Sequence, residues 1–79
     1  MPATLEEVRN IIAESFPGAN VDQVLETNHR IGGVIFWDDF RDKDITERNR
    51  LVSERVRKKL GLRGTNVGIL FPLASEEEL

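Results

Sequence analysis

The residues able to do chemistry are few and scattered. His29, in the segment NHRIGG, is the single histidine, and the 79 residues contain no cysteine. A zinc site or a disulfide framework is therefore excluded. His29 reads either as a ligand or acid–base group in a loop, or as an exposed turn residue that tolerates unusual backbone angles. Asp38, Asp39, Asp42, Asp44 and Glu47 crowd one stretch and suggest a cation site. Calcium loops of the EF-hand type need a glycine at position six. Counting from Asp42, that place holds Glu47. The other reading is a solvated loop leading into a helix N-terminus, where negative charge is welcome. Ser15, Ser53 and Ser75 have no nucleophile–base motif around them, and there is no phosphate-binding loop. The chain is expected not to be an enzyme.

Cations concentrate in one segment. Arg48, Arg50, Arg55, Arg57, Lys58 and Lys59 lie within 45–60. On a helix, Arg48, Arg55 and Lys59 fall in a sector of about 40°. They are candidates for an anion- or partner-binding edge, together with Arg50, and their heads are expected in water. The competing reading is that cations near a helix C-terminus complement its dipole, with Glu54 and Lys58 as an i,i+4 pair. Trp37 is either an interface residue or a core rim. Gly61-Leu62-Arg63-Gly64 matches the G-x-x-G string of KH domains, but it joins a helix to a strand. That context is wrong for a KH loop, and a glycine cap with a turn explains it.

These side chains must be positioned by a small scaffold. A chain of 79 residues suits one domain, here 1–79. Net charge is −3, with 11 basic and 14 acidic residues, so general attraction to nucleic acid or anionic membrane is not expected. Apolar runs such as Val34–Trp37 are too short to span a bilayer. The N-terminus lacks the basic start and apolar core of a signal peptide, so a cytoplasmic protein without a cofactor is expected.

Thr4 and Glu7 form a T-x-x-E capping box, followed by Leu5, Val8, Ile11, Ile12 and Phe16 at helical spacing. A first helix over about 4–15 is predicted, stopped by Pro17-Gly18. Residues 21–27 and 34–37 read as strands of an antiparallel hairpin, turned within NHRIGG by its Asn and Gly residues. Asp44 is a good N-cap for a second helix over about 45–60, whose core face carries Ile45, Val52, Val56 and Leu60 within about 80°. Gly61 is the expected left-handed cap. Val67, Ile69 and Phe71 alternate as in a half-buried strand that Pro72 ends. Residues 75–79 are a last turn or a frayed tail. The fold class is α+β, in the order α-β-β-α-β, with a three-stranded sheet and two helices on one face. Phe40, Val52, Val56 and Ile69 are expected in the core.

That order, which is also a type II KH-like arrangement, resembles the BolA family. IIAESFPGANVDQVLET resembles the family's first helix, Pro-Gly break and first strand. FRDKDITERNRLV resembles its most recognisable segment, with Phe40, Lys43, Asp44, Arg48, Arg50, Leu51 and Val52 at matching positions. The closing strand and SEEE resemble its last strand and T-P-E-E ending. The resemblance spans about residues 5–78. It implies a monothiol glutaredoxin as partner and a shared iron–sulfur cluster, ligated by a His at the start of the last strand. That position here is Asn66 or Val67, and the middle residue of the R-H-R motif is Asn49. The chain thus departs from the family at its ligand. Two functions follow as expectations: a non-catalytic regulatory or protein-binding adaptor on a BolA-like scaffold, or a nucleic-acid-binding module using the basic second helix.

Overall fold

Thr4 starts the first helix as its type and spacing require. Its hydroxyl accepts from the Glu7 N–H at 3.1 Å, and Glu7 Oε1 accepts from the Thr4 N–H at 3.2 Å. Two orphan donors are satisfied reciprocally. The computed structural model describes residues 1–77, and Glu78 and Leu79, the end of the expected tail, lie outside the described residues. Helix α1 spans Leu5–Ser15, strand β1 Val24–Thr27 and strand β2 Arg30–Phe36. A 3-10 turn, Asp38–Asp42, leads to helix α2, Ile45–Val52. This helix runs on through a wide turn, Ser53–Arg57, into a last helical turn, Lys58–Leu60. A second 3-10 turn, Gly61–Asn66, precedes strand β3, Val67–Leu73. The expected α+β order is observed. The sheet is mixed, in the order β1-β2-β3, and both helices pack on one face of it.

The hairpin turn sits earlier than its glycines suggested. Asn28 and His29 both take positive φ, 52° and 66°, and β2 resumes at Arg30. A two-residue turn with both centres left-handed matches the twist of the flanking strands. Gly32 and Gly33 are therefore strand residues. Gly33 has φ +138°, and a Cβ there would lie 1.9 Å from the Gln23 carbonyl oxygen. Only glycine lets β1 and β2 meet at that point.

The core holds Phe40, Val52 and Val56, as expected, with Val8, Ile12, Phe16, Val24, Ile31 and Ile35. Two expectations fail. Ile45 is 57% exposed, and Arg48 is the buried residue nearest that end of the helix. The buried stripe is Arg48, Val52, Val56 and Leu60, a strict spacing of four. At 3.6 residues per turn such a stripe would drift by about 40° per step. The wide turn, closed by Lys58 N–H on the Ser53 carbonyl, keeps it straight. Gly61 has the expected positive φ, 59°, but its ψ of −136° is not left-handed helical.

Ile69 is the second failure, at 66% exposed, with Phe71 at 42%. Val67, Leu70 and Pro72 point inward instead. Ile31 pairs with Val67 and Gly33 with Leu70, so two steps along β2 match three along β3. The extra residue is a bulge, and it reverses the inward–outward parity of everything after it. Pro72 stays within the strand because its missing N–H faces the free edge. Leu70→Ala is expected to cost about 2–4 kcal/mol in urea unfolding, and Ile69→Ala about 0.5 kcal/mol or less. Equal shifts of the two midpoints would contradict the bulge.

Candidate functional site: the open face of the sheet

Of the basic helix edge that the sequence suggested, Arg50, Arg55 and Lys59 are exposed and Arg48 is buried. The Arg48 head is not solvated: the residue is 8% exposed. Its Nε donates to the Lys43 carbonyl at 2.8 Å, Nη1 to the Pro72 carbonyl at 3.2 Å, and Nη1 and Nη2 to the Glu77 carboxylate at 2.7 and 3.2 Å. Arg55 donates to the Ser15 carbonyl at 3.0 Å, and its guanidinium lies 5.7 Å from the Phe16 ring centroid. Lys59 pairs with Glu14 at 3.6 Å, and Arg50 lies 4.0 and 3.8 Å from Glu47 and Glu54. Among the described residues, Lys58 is the one cation of this helix without such a partner.

Arginines also close the sheet edges. Arg9 Nε and Nη2 donate to the Val24 carbonyl of β1 at 3.0 and 2.7 Å. On β3, Arg57 Nη2 donates to the Gly68 carbonyl at 2.6 Å, and Arg48 covers that of Pro72. The Val24 carbonyl on one edge and those of Gly68 and Pro72 on the other are thus occupied, and Pro72 removes a donor.

Trp37 takes the core-rim position. Its ring lies 4.9 Å from Phe16 and 5.1 Å from Phe40, and its Nε1–H donates to the Pro17 carbonyl at 2.9 Å. His29 is exposed at the hairpin tip. The acidic stretch serves structure. Asp44 accepts from the Glu47 N–H at 2.8 Å as N-cap, and Asp38 accepts from the Ser75 hydroxyl. No three metal-ligating side chains come together among the described residues.

The segment after β3 is tied down by two ion pairs. Arg41 grips Glu76 at 2.5 and 2.7 Å, and this hydrogen bond holds the Glu76 carboxyl down to about 2. Arg48, and then the Ala74 N–H, lower Glu77 as well. A carboxyl lowered in the folded state stabilises above its ordinary value near 4.5, and that contribution is lost as pH falls toward about 2. Carbon-13 titration of the side-chain carboxyls is expected to place the Glu76 midpoint near 2. A midpoint at the ordinary value would mean that Arg41 does not hold it.

Asn66, just before β3, donates from Nδ2 to the Ala3 carbonyl at 2.9 Å, while its Oδ1 is buried without a partner among the described residues. Val67 is in the core. A cluster site needs Cys or His donors. An amide committed to the N-terminal segment, a core valine and a histidine at the hairpin tip do not fit an iron–sulfur cluster.

What remains open is the sheet face away from the helices. Leu25, 51% exposed, stands on β1 beside Gly32, and Ile69 projects from the bulge of β3. Gly32 and Gly68 leave a shallow groove between these two side chains, with Thr27 and Arg30 at one end. Gly32 is required, since a Cβ would lie 2.8 Å from the Ile69 carbonyl oxygen. The sequence held one sign of this site, glycines at the centre of a strand pair, but the bulge that exposes Ile69 has no local signature. Comparison with family models, with curated proteins and with solved structures gives no match. No described helix is long and apolar enough to cross a membrane.

Proposed function

We propose that this chain is a non-catalytic, BolA-like protein-binding adaptor that meets its partner through the open face of the sheet. The observation that carries this reading is a contrast. Nearly every cation of the second helix is engaged within the chain, while Leu25 and Ile69 stand exposed on the two sides of a groove and Phe71 is exposed farther along β3. Exposed apolar groups gathered on one face favour a protein partner. Phosphate recognition would need free Arg and Lys heads. The BolA-like assignment is supported by the element order and the F…R-x-R-L-V spacing. It does not extend to cluster sharing with a monothiol glutaredoxin, for which the donors are missing. A chain without cysteine suits a cytoplasmic setting.

Two surface variants test the reading. Proteins captured from the native cell with wild-type chain should be lost with Ile69→Lys and kept with the double variant Lys58→Glu, Lys59→Glu. Nucleic acid should show no tight binding at about 50 mM salt that weakens steeply by about 200 mM. Capture unaffected by Ile69→Lys, or salt-sensitive nucleic-acid binding abolished by the helix variant, would hand the function to the helix.

A further inference from the structure

Among the eight arginines, Arg30 is the one whose side chain has no hydrogen bond or ion pair to a described residue. Arg9, Arg48, Arg55 and Arg57 donate to backbone carbonyls, and Arg41, Arg48, Arg50 and Arg63 face carboxylates. In a chain with 14 acidic residues, an arginine with neither a carbonyl nor a carboxylate partner among the described residues stands apart. Its place is specific. Arg30 stands opposite Thr27 on the open face and lines the groove floored by Gly32 and Gly68. Its Nε and Nη2 lie 3.9 Å from where a Gly68 Cβ would be, ordinary contact distance, so the guanidinium lies against the Gly68 end of the groove.

From this placement we infer that the groove recognises an extended segment of another protein that carries an apolar side chain and, two residues away on the same face, a carboxylate. The inference rests on the sheet-face reading above and adds the partner's chemistry. Arg30 and Gly32 are alternate residues of β2, so their places on the open face are about 6–7 Å apart along the strand. That is the spacing of side chains i and i+2 in an extended ligand. The apolar group fills the slot, and the carboxylate takes the fork of Arg30 in two-pronged fashion. The arginine-capped carbonyls of Val24, Gly68 and Pro72 disfavour addition of the ligand to the sheet as a fourth strand.

A display library of linear heptapeptides, all positions randomised, is panned against the intact folded chain. Enriched peptides are then synthesised with a fluorophore and titrated by anisotropy. The expected result is enrichment of an apolar residue two positions from Asp or Glu. Binding should weaken by about tenfold with Arg30→Glu, and Ile69→Ser should weaken it comparably. A peptide with Lys in place of its acid should bind Arg30→Glu better than wild type. Circular dichroism checks that both variants are folded, and Arg30→Gln replaces Arg30→Glu if reversal disturbs the hairpin. Peptides that lose affinity with Ile69→Ser but not with either Arg30 variant would overturn this inference and leave the sheet face as the binding surface. Peptides insensitive to Ile69→Ser would overturn both. Failure to enrich any sequence, or a dimer in sedimentation that Ile69→Ser dissociates, would remove the extended segment as occupant.

Discussion

Phe40→Ala is expected to cost about 3–5 kcal/mol, more than half of the stability of a domain this small. Phe40 is fully buried although it sits in the polar stretch Asp38–Asp44. Its ring lies 5.4 Å from Phe16 and 5.1 Å from Trp37, with the Trp37 contact near-perpendicular at 86°. These three rings join the end of α1, the end of β2 and the turn before α2. Removing the Phe40 ring leaves a cavity that three different elements would have to collapse into, and aromatic edge contacts are lost as well. Urea unfolding followed by Trp37 fluorescence measures both effects. The midpoint should fall below half its wild-type value, with a red-shifted emission before unfolding. A midpoint within error of wild type would mean that the cluster is not part of the core.

Arg48→Ala is expected to destabilise by about 2–4 kcal/mol, whereas Arg55→Glu should change stability by less than about 1 kcal/mol. The sequence placed these two arginines together, as solvated heads on one helix edge. The fold separates them. Truncating Arg48 leaves the Pro72 carbonyl inside the protein without its donor and releases Glu77. An acceptor left unsatisfied in a low-dielectric site costs more than the bond it had contributed. Arg55 sits at the surface, and its carbonyl partner on Ser15 can turn to water. Arg48→Met keeps the aliphatic stem and removes only the fork, so it should recover part of the loss. Thermal and urea unfolding of the three variants, with Glu77→Gln to close a double-mutant cycle, would separate the carboxylate contact from the two carbonyl contacts. Arg48→Ala with wild-type stability would return that residue to the surface and reopen the helix edge as a binding site.

Much of this protein is legible in the sequence because the signals are local. Thr4 and Glu7, or Asp44 and Glu47, are three residues apart, and the caps they form depend on almost nothing else. Val52 and Val56 are buried because a helix puts residues four apart on one side. The order α-β-β-α-β and the layer packing follow from such elements and from the need to cover each apolar face once. Other features depend on how distant segments meet. The hairpin turns at Asn28-His29, and Gly33 is consumed where β1 approaches β2. Ile31 and Val67 are 36 positions apart, and nothing near Ile69 announces that the pairing between their strands slips by one. Because side chains alternate with a period of two, that slip sends Leu70 into the core and Ile69 outside. The arginines divide the same way. Their number and helical spacing are properties of the sequence, but a guanidinium reaches several ångströms, and whether it finds a carbonyl, a carboxylate or water is decided by the elements folded against it. Arg48 finds Pro72 and Glu77, Arg57 finds the edge of β3, and Arg30 is left facing an open groove.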